Sequence, residues 1–242
     1  MSDPPPDISV VVPVYDEEGA VGPLVREIAT AFAGRSYEMV FVDDASRDGT
    51  LAELRRLMIE TPTLRVLSHS ANAGQSRAVR TGVLAARGAI VVTLDGDGQN
   101  PPADGPKLVD LLIAAPSSVG LVGGRRTIRR DSTAKRQASQ WANRIRRRLL
   151  GDDADDTGCG LKAFRRDVFL RLPYFDHIHR YLPALMIREG YENRYLDVDH
   201  RHRAAGRSKY TNGGRLVASL PDVIGMMWLK SRSRRPGGIS EY

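Results

Sequence analysis

Short, continuously apolar runs alternate with helical patterns through the first 125 residues, and few folds accommodate that arrangement. Ile8–Val14, Glu38–Val42, Leu64–Ser68, Ile90–Leu94 and Gly120–Val122 have strand length and little polar alternation, as a sheet covered on both faces requires. Helical patterns fall between them, over about Ala20–Ala33, Thr50–Glu60, Gln75–Ala86 and Asp104–Ala114. Strand and helix in strict turn predict an α/β fold, with a mostly parallel central sheet flanked by helices and right-handed crossovers. Beyond residue 125 the alternation fades into a basic helical stretch, a Gly/Asp-rich turn over Asp155–Gly160, mixed structure and a terminal helix from about Gly214. The expected organisation is one domain over residues 1–212 and an appendage over 213–242, an amphipathic helix with a basic tail.

A parallel sheet of this kind binds ligands outside the carboxyl ends of its strands. The loops expected there are unusually polar: Val14-Tyr15-Asp16-Glu17, Asp43-Asp44-Ala45-Ser46-Arg47-Asp48-Gly49 and Asp95-Gly96-Asp97-Gly98-Gln99. Asp95 and Asp97, one residue apart after a buried-looking strand, can turn toward one hard cation, with Gln99 as a third oxygen donor. Magnesium or manganese held this way keeps positions open for diphosphate oxygens; the competing reading is a solvated acidic turn. Ser46 and Asp48 can be explained as helix caps, but two acids ahead of that cap exceed what capping needs, so Asp43 or Asp44 could accept hydrogen bonds from a nucleobase or ribose.

Charge narrows the partners. The net charge is +7 with an isoelectric point near 9.8, and arginines and lysines crowd into residues 125–148 and again at 232–235. Nucleic acid, an anionic lipid surface and a phosphorylated substrate all satisfy that balance. Aromatic residues are only 6% and are not interleaved with the arginines, which argues against stacking on bases, so no nucleic-acid partner is expected. A single cysteine, Cys159, excludes an internal disulfide and reads as packing. The start Met1-Ser2-Asp3-Pro4-Pro5-Pro6 lacks a signal peptide's basic and apolar regions, so a cytoplasmic location is expected. No run reaches the roughly 20 apolar residues of a membrane span, since Leu216–Leu229 is short and holds Pro221 and Asp222.

Taken in order, Ile8–Glu17, Val42-Asp43-Asp44-Ala45-Ser46-x-Asp48-Gly49-Thr50, Asn72-x-Gly74 and Asp95-Gly96-Asp97-Gly98-Gln99 resemble family 2 glycosyltransferases. More narrowly they resemble the dolichol-phosphate mannose synthase branch, the polyprenyl-phosphate glycosyltransferases, over about residues 8–210. The resemblance implies a GT-A fold, in which Pro13, Tyr15, Glu17 and Asp44 line the nucleotide pocket with Asp43 assisting, and Asp95, Asp97 and Gln99 surround Mg2+ or Mn2+. It implies an NDP-sugar donor, UDP- or GDP-linked, and a polyprenyl phosphate acceptor held by Arg125, Arg136 and Ser139. Arginine suits that task because its planar fork makes paired bonds to phosphate oxygens and stays protonated.

By the same resemblance Asp156 belongs to an acidic turn that supplies a general base in many inverting relatives. A phosphate acceptor is already mostly a dianion at pH 7, so Asp156 is assigned to positioning. Arg203 and Lys209 match a segment that closes over the donor diphosphate, although Arg207 stands where the family often has a small polar or acidic residue. The pairs His177/His179 and His200/His202 are not read as metal ligands.

The terminal helix carries Leu216, Leu220, Val223, Ile224 and Met227 at helical spacing, then Trp228 and a basic end. It fits equally an interfacial membrane helix and a helix packed on the domain or on a second copy in a homo-oligomer. The expected activity is inverting transfer to a lipid phosphate at the inner face of the cytoplasmic membrane, peripherally attached. The alternatives are a family 2 transferase acting on a hydroxyl acceptor and a basic nucleic-acid-binding module.

Overall fold

The computed structural model describes residues 4–126, 148–152, 154, 156–201 and 212–233, with side chains of the last helix from Pro221 onward. Its strands are β1 (Ile8–Val14), β2 (Tyr37–Asp43), β3 (Leu64–Ser68), β4 (Ile90–Thr93), β5 (Val119–Arg126), β6 (Lys162–Arg165) and β7 (Glu192–Val198). Its helices are α1 (Glu18–Ala31), α2 (Thr50–Glu60), α3 (Gln75–Ala85), α4 (Gly105–Ala114), α5 (Arg166–Arg171), α6 (Ile178–Glu189) and α7 (Asn212–Ser231).

The strands form one sheet in the order β3-β2-β1-β4-β6-β5-β7. All described pairings are parallel except those of β6, which runs against both β4 and β5. Every residue of β1 is buried, as expected of a central strand. Side-chain alternation then splits the core in two. Val10, Val12, Phe41 and Val92 face α1, α2 and α4, while Val11, Val40, Val42 and Val91 face α3, α5 and α6. The chain winds from β1 outward through β2 to β3, then returns to place β4 on the other side of β1. That reversal opens a crevice above the carboxyl ends of β1 and β4.

The opposite rim is closed by a buried polar knot. Ser9 Oγ donates to Glu38 Oε1 at 2.7 Å, and the Glu38 carboxylate also accepts from the Arg87 amide and from Arg65 Nη1. Burial pushes this carboxyl up, but the Ser9, Arg87 and Arg65 donors together hold it below its ordinary value.

Two elements extend what the sequence pattern indicated. β5 runs on to Arg126, past the expected Val122, because β7 supplies a parallel ladder that pairs Arg125 with Asp197 and Arg126 with Val198. The terminal helix begins at Asn212 and turns one face to the domain: Met226 is 1% exposed, with Val223 and Leu229 packed beside it, and His177 Nδ1 meets Asp222 Oδ2 at 2.8 Å. Among the described residues no helix is long and apolar enough to cross a membrane.

Helix α3 lies close on the sheet at Gly82, where a Cβ would come 2.4 Å from Val11 Cγ1 and 3.2 Å from Val42 Cγ2. Gly82→Ala is therefore expected to lose about 1–2 kcal/mol net, the overpacking outweighing the gain in helix propensity. Urea unfolding should show a lower midpoint with an unchanged slope.

Candidate active site

Two strand-end loops are laced together before they meet any ligand. The Asp44 amide donates to the Val14 carbonyl at 2.9 Å, the Asp16 amide to Ser46 Oγ at 2.9 Å, the Arg47 amide to Asp16 Oδ1 at 2.7 Å and the Glu17 amide to Thr50 Oγ1 at 2.8 Å. Asp16 and Ala45 hold positive φ values of 50° and 61°, which the lacing sustains. Asp48 caps α2 through the Thr50 amide. Burial pushes its carboxyl up, but the Thr50 hydroxyl and the amides of Thr50 and Glu18 outweigh that and hold it below the ordinary range.

Asp44 is 3% exposed, and its carboxylate is already committed. It accepts from the Ala73 and Gly74 amides at 2.9 and 2.8 Å and meets His69 Nδ1 at 2.7 Å, while His69 Nε2 meets Thr81 Oγ1 at 2.9 Å. Asp43 lies beneath the loop, accepting from the Ser46 amide and Ser68 Oγ.

The next loop folds over the first. A Cβ on Gly96 would meet Val14 Cγ1 at 2.6 Å and the Pro13 carbonyl at 2.8 Å, so only glycine lets Asp95 and Asp97 approach the end of β1. Asp97 Oδ1 accepts the Gln99 amide at 3.1 Å, and Gln75 Nε2 donates to Asp95 Oδ1 at 2.8 Å. Gly160 is a matching cradle, since a Cβ there would fall 2.2 Å from Asp95 Cγ. Burial and then the neighbouring Asp97 charge push the Asp95 carboxyl up to about 6.

These loops wall one cavity of about 880 Å³. Pro13, Tyr15, Glu17, Asp44, Asp95, Asp97 and Gln99 all line it; Asp43, Arg125 and Asp156 do not. Arg125 turns outward to Asp197, with Nε 2.6 Å from Oδ1, and it is the next residue, Arg126, that faces inward. Asp156 is 6% exposed and grips Arg126 through two bonds, Nε to Oδ2 at 2.6 Å and Nη2 to Oδ1 at 2.8 Å. Burial works against the guanidinium charge, and Asp156 more than restores it, holding Arg126 above its ordinary value. Arg136, Ser139, Arg203 and Lys209 lie outside the described residues.

Three cavity residues had no role assigned from sequence. Lys162 on β6 is 5% exposed and donates to the Cys159 carbonyl, and burial lowers its ammonium below the ordinary lysine value. A lysine inside the apolar run Leu161–Phe164 was the available signal. His179 and Arg180, at the start of α6, also line the cavity. Cys159 is 1% exposed, and burial raises its thiol, in keeping with packing.

The chain matches the family model described as Glycosyl transferase family 2 over residues 9–172. It belongs to that family. It is 33% identical over 96% of its length to a dodecaprenyl-phosphate galacturonate synthase of Rhizobium johnstonii, of which it covers 69%. It is 35% identical over 84% of its length to an undecaprenyl-phosphate 4-deoxy-4-formamido-L-arabinose transferase of Edwardsiella ictaluri, of which it covers 62%. Among solved structures, a mannosyltransferase of Pyrobaculum calidifontis in complex with GDP-Man and Mn2+ superposes with a TM-score of 0.67 at 20% identity, over 97% of this chain and 66% of that one. The fold of this family 2 member is thus GT-A, with the antiparallel β6 set into an otherwise parallel sheet.

Two neighbouring carboxylates and an amide oxygen are a hard donor set, and the burial and Asp97 charge that together raise Asp95 are what a bound divalent cation would offset. Among the described residues no group of three or more His, Cys, Asp or Glu could hold a metal, so the described residues offer only part of a coordination shell. That suits Mg2+ or Mn2+ completed by diphosphate oxygens and water.

The raised Asp95 carboxyl has a cost that can be measured. Its folded value lies above its ordinary 3.8, so this contribution to stability is complete below about pH 4 and lost as pH rises through about 6. Asp95→Asn removes that loss. In metal-free buffer the variant should melt above the wild type at pH 8, with the gap closing by pH 4, as followed by thermal scans.

Proposed function

We propose that this chain transfers a sugar from an NDP-sugar to a polyprenyl phosphate with inversion, residues 1–212 forming the catalytic unit. The observation that carries the reading is one cavity in which Asp95 and Asp97 face a half-buried arginine, Arg126, whose buried carboxylate partner Asp156 has both oxygens on it. The relatives of Rhizobium and Edwardsiella, named for transfer to dodecaprenyl and undecaprenyl phosphate, support the same acceptor class.

In this reading the nucleotide lies along Pro13, Tyr15 and Glu17. Asp44 acts by fixing the Asn72–Gly74 turn that forms the adjoining wall, and its backbone carbonyl accepts from Asn72 Nδ2 at 3.1 Å. Asp95, Asp97 and Gln99 hold the diphosphate end through Mg2+ or Mn2+. When bound, the ion neutralises charge on the departing diphosphate. Arg126 presents its remaining N–H groups to the acceptor phosphate and orients it for attack on the anomeric carbon. The family resemblance assigns Arg136 and Ser139 to the same phosphate and Arg203 and Lys209 to the diphosphate; Arg125 acts through the β5–β7 edge by its bond to Asp197.

The phosphate itself is the nucleophile. A hydroxyl acceptor would need a base, and Asp156, the acid expected near this point, has both oxygens on Arg126. That favours the phosphate acceptor over a glycan hydroxyl.

We further propose that the enzyme works on a membrane surface. The outward face of α7 carries Ile224, Met227 and Trp228, 66%, 41% and 60% exposed, with Lys230 and Arg232 at its end. An apolar row bounded by basic residues matches an anionic bilayer interface.

Incubating the protein with a panel of UDP- and GDP-sugars, undecaprenyl phosphate and Mn2+ should yield lipid-linked sugar from at least one donor. Asp97→Ala should abolish turnover while melting like the wild type; near wild-type activity in that variant would refute the metal assignment. The double variant Ile224→Ser, Trp228→Ser should partition about tenfold less onto phosphatidylglycerol vesicles. Its turnover in detergent should be unchanged.

A further inference from the structure

One side-chain pair at the cavity wall takes no part in the steps above. Ser76 is the second residue of α3 and His179 the second of α6, and Ser76 Oγ meets His179 Nδ1 at 2.7 Å. Ser76 is 4% exposed, while His179 lines the cavity beside Arg180 and Leu182. With Nδ1 on the serine, the ring has one polar atom left. Nε2 bonds no described residue, yet it is not among the buried atoms sealed without a partner, so it opens on the cavity.

The pair sits one step from the proposed metal site. Gln75, which donates to Asp95, directly precedes Ser76, which holds His179. Consecutive Cα atoms are about 3.8 Å apart, so Asp95 and His179 are each one side chain away from the same short stretch of backbone. Asp95, Asp97 and His179 line the same cavity, which on the proposed reading holds the donor. Burial, with Arg180 and Lys162 nearby, pushes the His179 ring well below its ordinary value, toward the neutral form. A neutral ring offers one donor and one acceptor, and the Ser76 hydroxyl can serve either tautomer, so Nε2 suits a hydroxyl better than a phosphate.

We propose that His179, oriented by Ser76, hydrogen-bonds a hydroxyl of the donor sugar and is a specificity-determining residue of the transfer. Ser76 is its positioning residue. The inference rests on the NDP-sugar reading of the cavity, and the comparison that tests it separates the sugar from the nucleotide.

Affinities for UDP, GDP and their sugar conjugates would be measured by calorimetry in Mn2+ for the wild type, His179→Ala, His179→Gln and Ser76→Ala, with melting temperatures alongside. His179→Ala should bind the free nucleotide within about twofold of wild type and the matching nucleotide-sugar about tenfold more weakly, the loss of one hydrogen bond. His179→Gln should recover part of that loss and reorder the preferred sugars, while Ser76→Ala should weaken the sugar conjugate less than His179→Ala does. Equal losses for nucleotide and conjugate, or no loss for any conjugate, would overturn the role of His179. A wild-type protein that binds a nucleotide-sugar but transfers nothing would refute the reaction and leave this comparison intact.

Discussion

The Asp44 carboxylate ties three separate strand ends together. Its amide holds β1 through the Val14 carbonyl, its oxygens hold the turn that opens α3, and His69 beyond β3 completes its shell. A buried carboxylate is costly unless its lone pairs are filled, and here two backbone amides and an imidazole fill them. The rest of the cavity depends on that knot. It fixes where α3 begins, and the first turn of α3 reaches Asp95 through Gln75 and α6 through Ser76.

Much of this was legible from residue order. β1, β3 and α2 have the bounds that the sequence pattern indicates; for β1 the reason is that a central parallel strand must be apolar throughout while the loop after it is polar. β6 carries little apolar signal because two of its four residues, Lys162 and Arg165, are cations, and β7 because it is an edge strand reading Glu-Asn-Arg-Tyr-Leu-Asp-Val with only Val198 buried. The acidic loops were visible as ligand-facing groups. Their division of labour was not, since Asp43 and Asp44 differ by which backbone amides lie within reach, and those amides come from residues 46, 73 and 74.

The arginine pair shows the same limit. Gly123 and Gly124 bring no side chain to signal that β5 continues, and a strand that continues sends neighbouring side chains to opposite faces. Which of Arg125 and Arg126 looks into the cavity was therefore decided by the length of a strand, and that length by the polar edge strand β7. His179 was weighed only as a metal ligand, whereas its burial against Ser76 depends on two helices far apart in sequence.

The grip of Asp156 on Arg126 also bears on how such an enzyme could change. A drift toward hydroxyl acceptors asks for a free base near this turn, yet any substitution that releases Asp156 strands a guanidinium in the wall of the same cavity. The two residues can change safely only together. On the proposed reading, the choice of acceptor would be guarded by this coupled pair, and a single substitution away from phosphate would meet a valley rather than a slope.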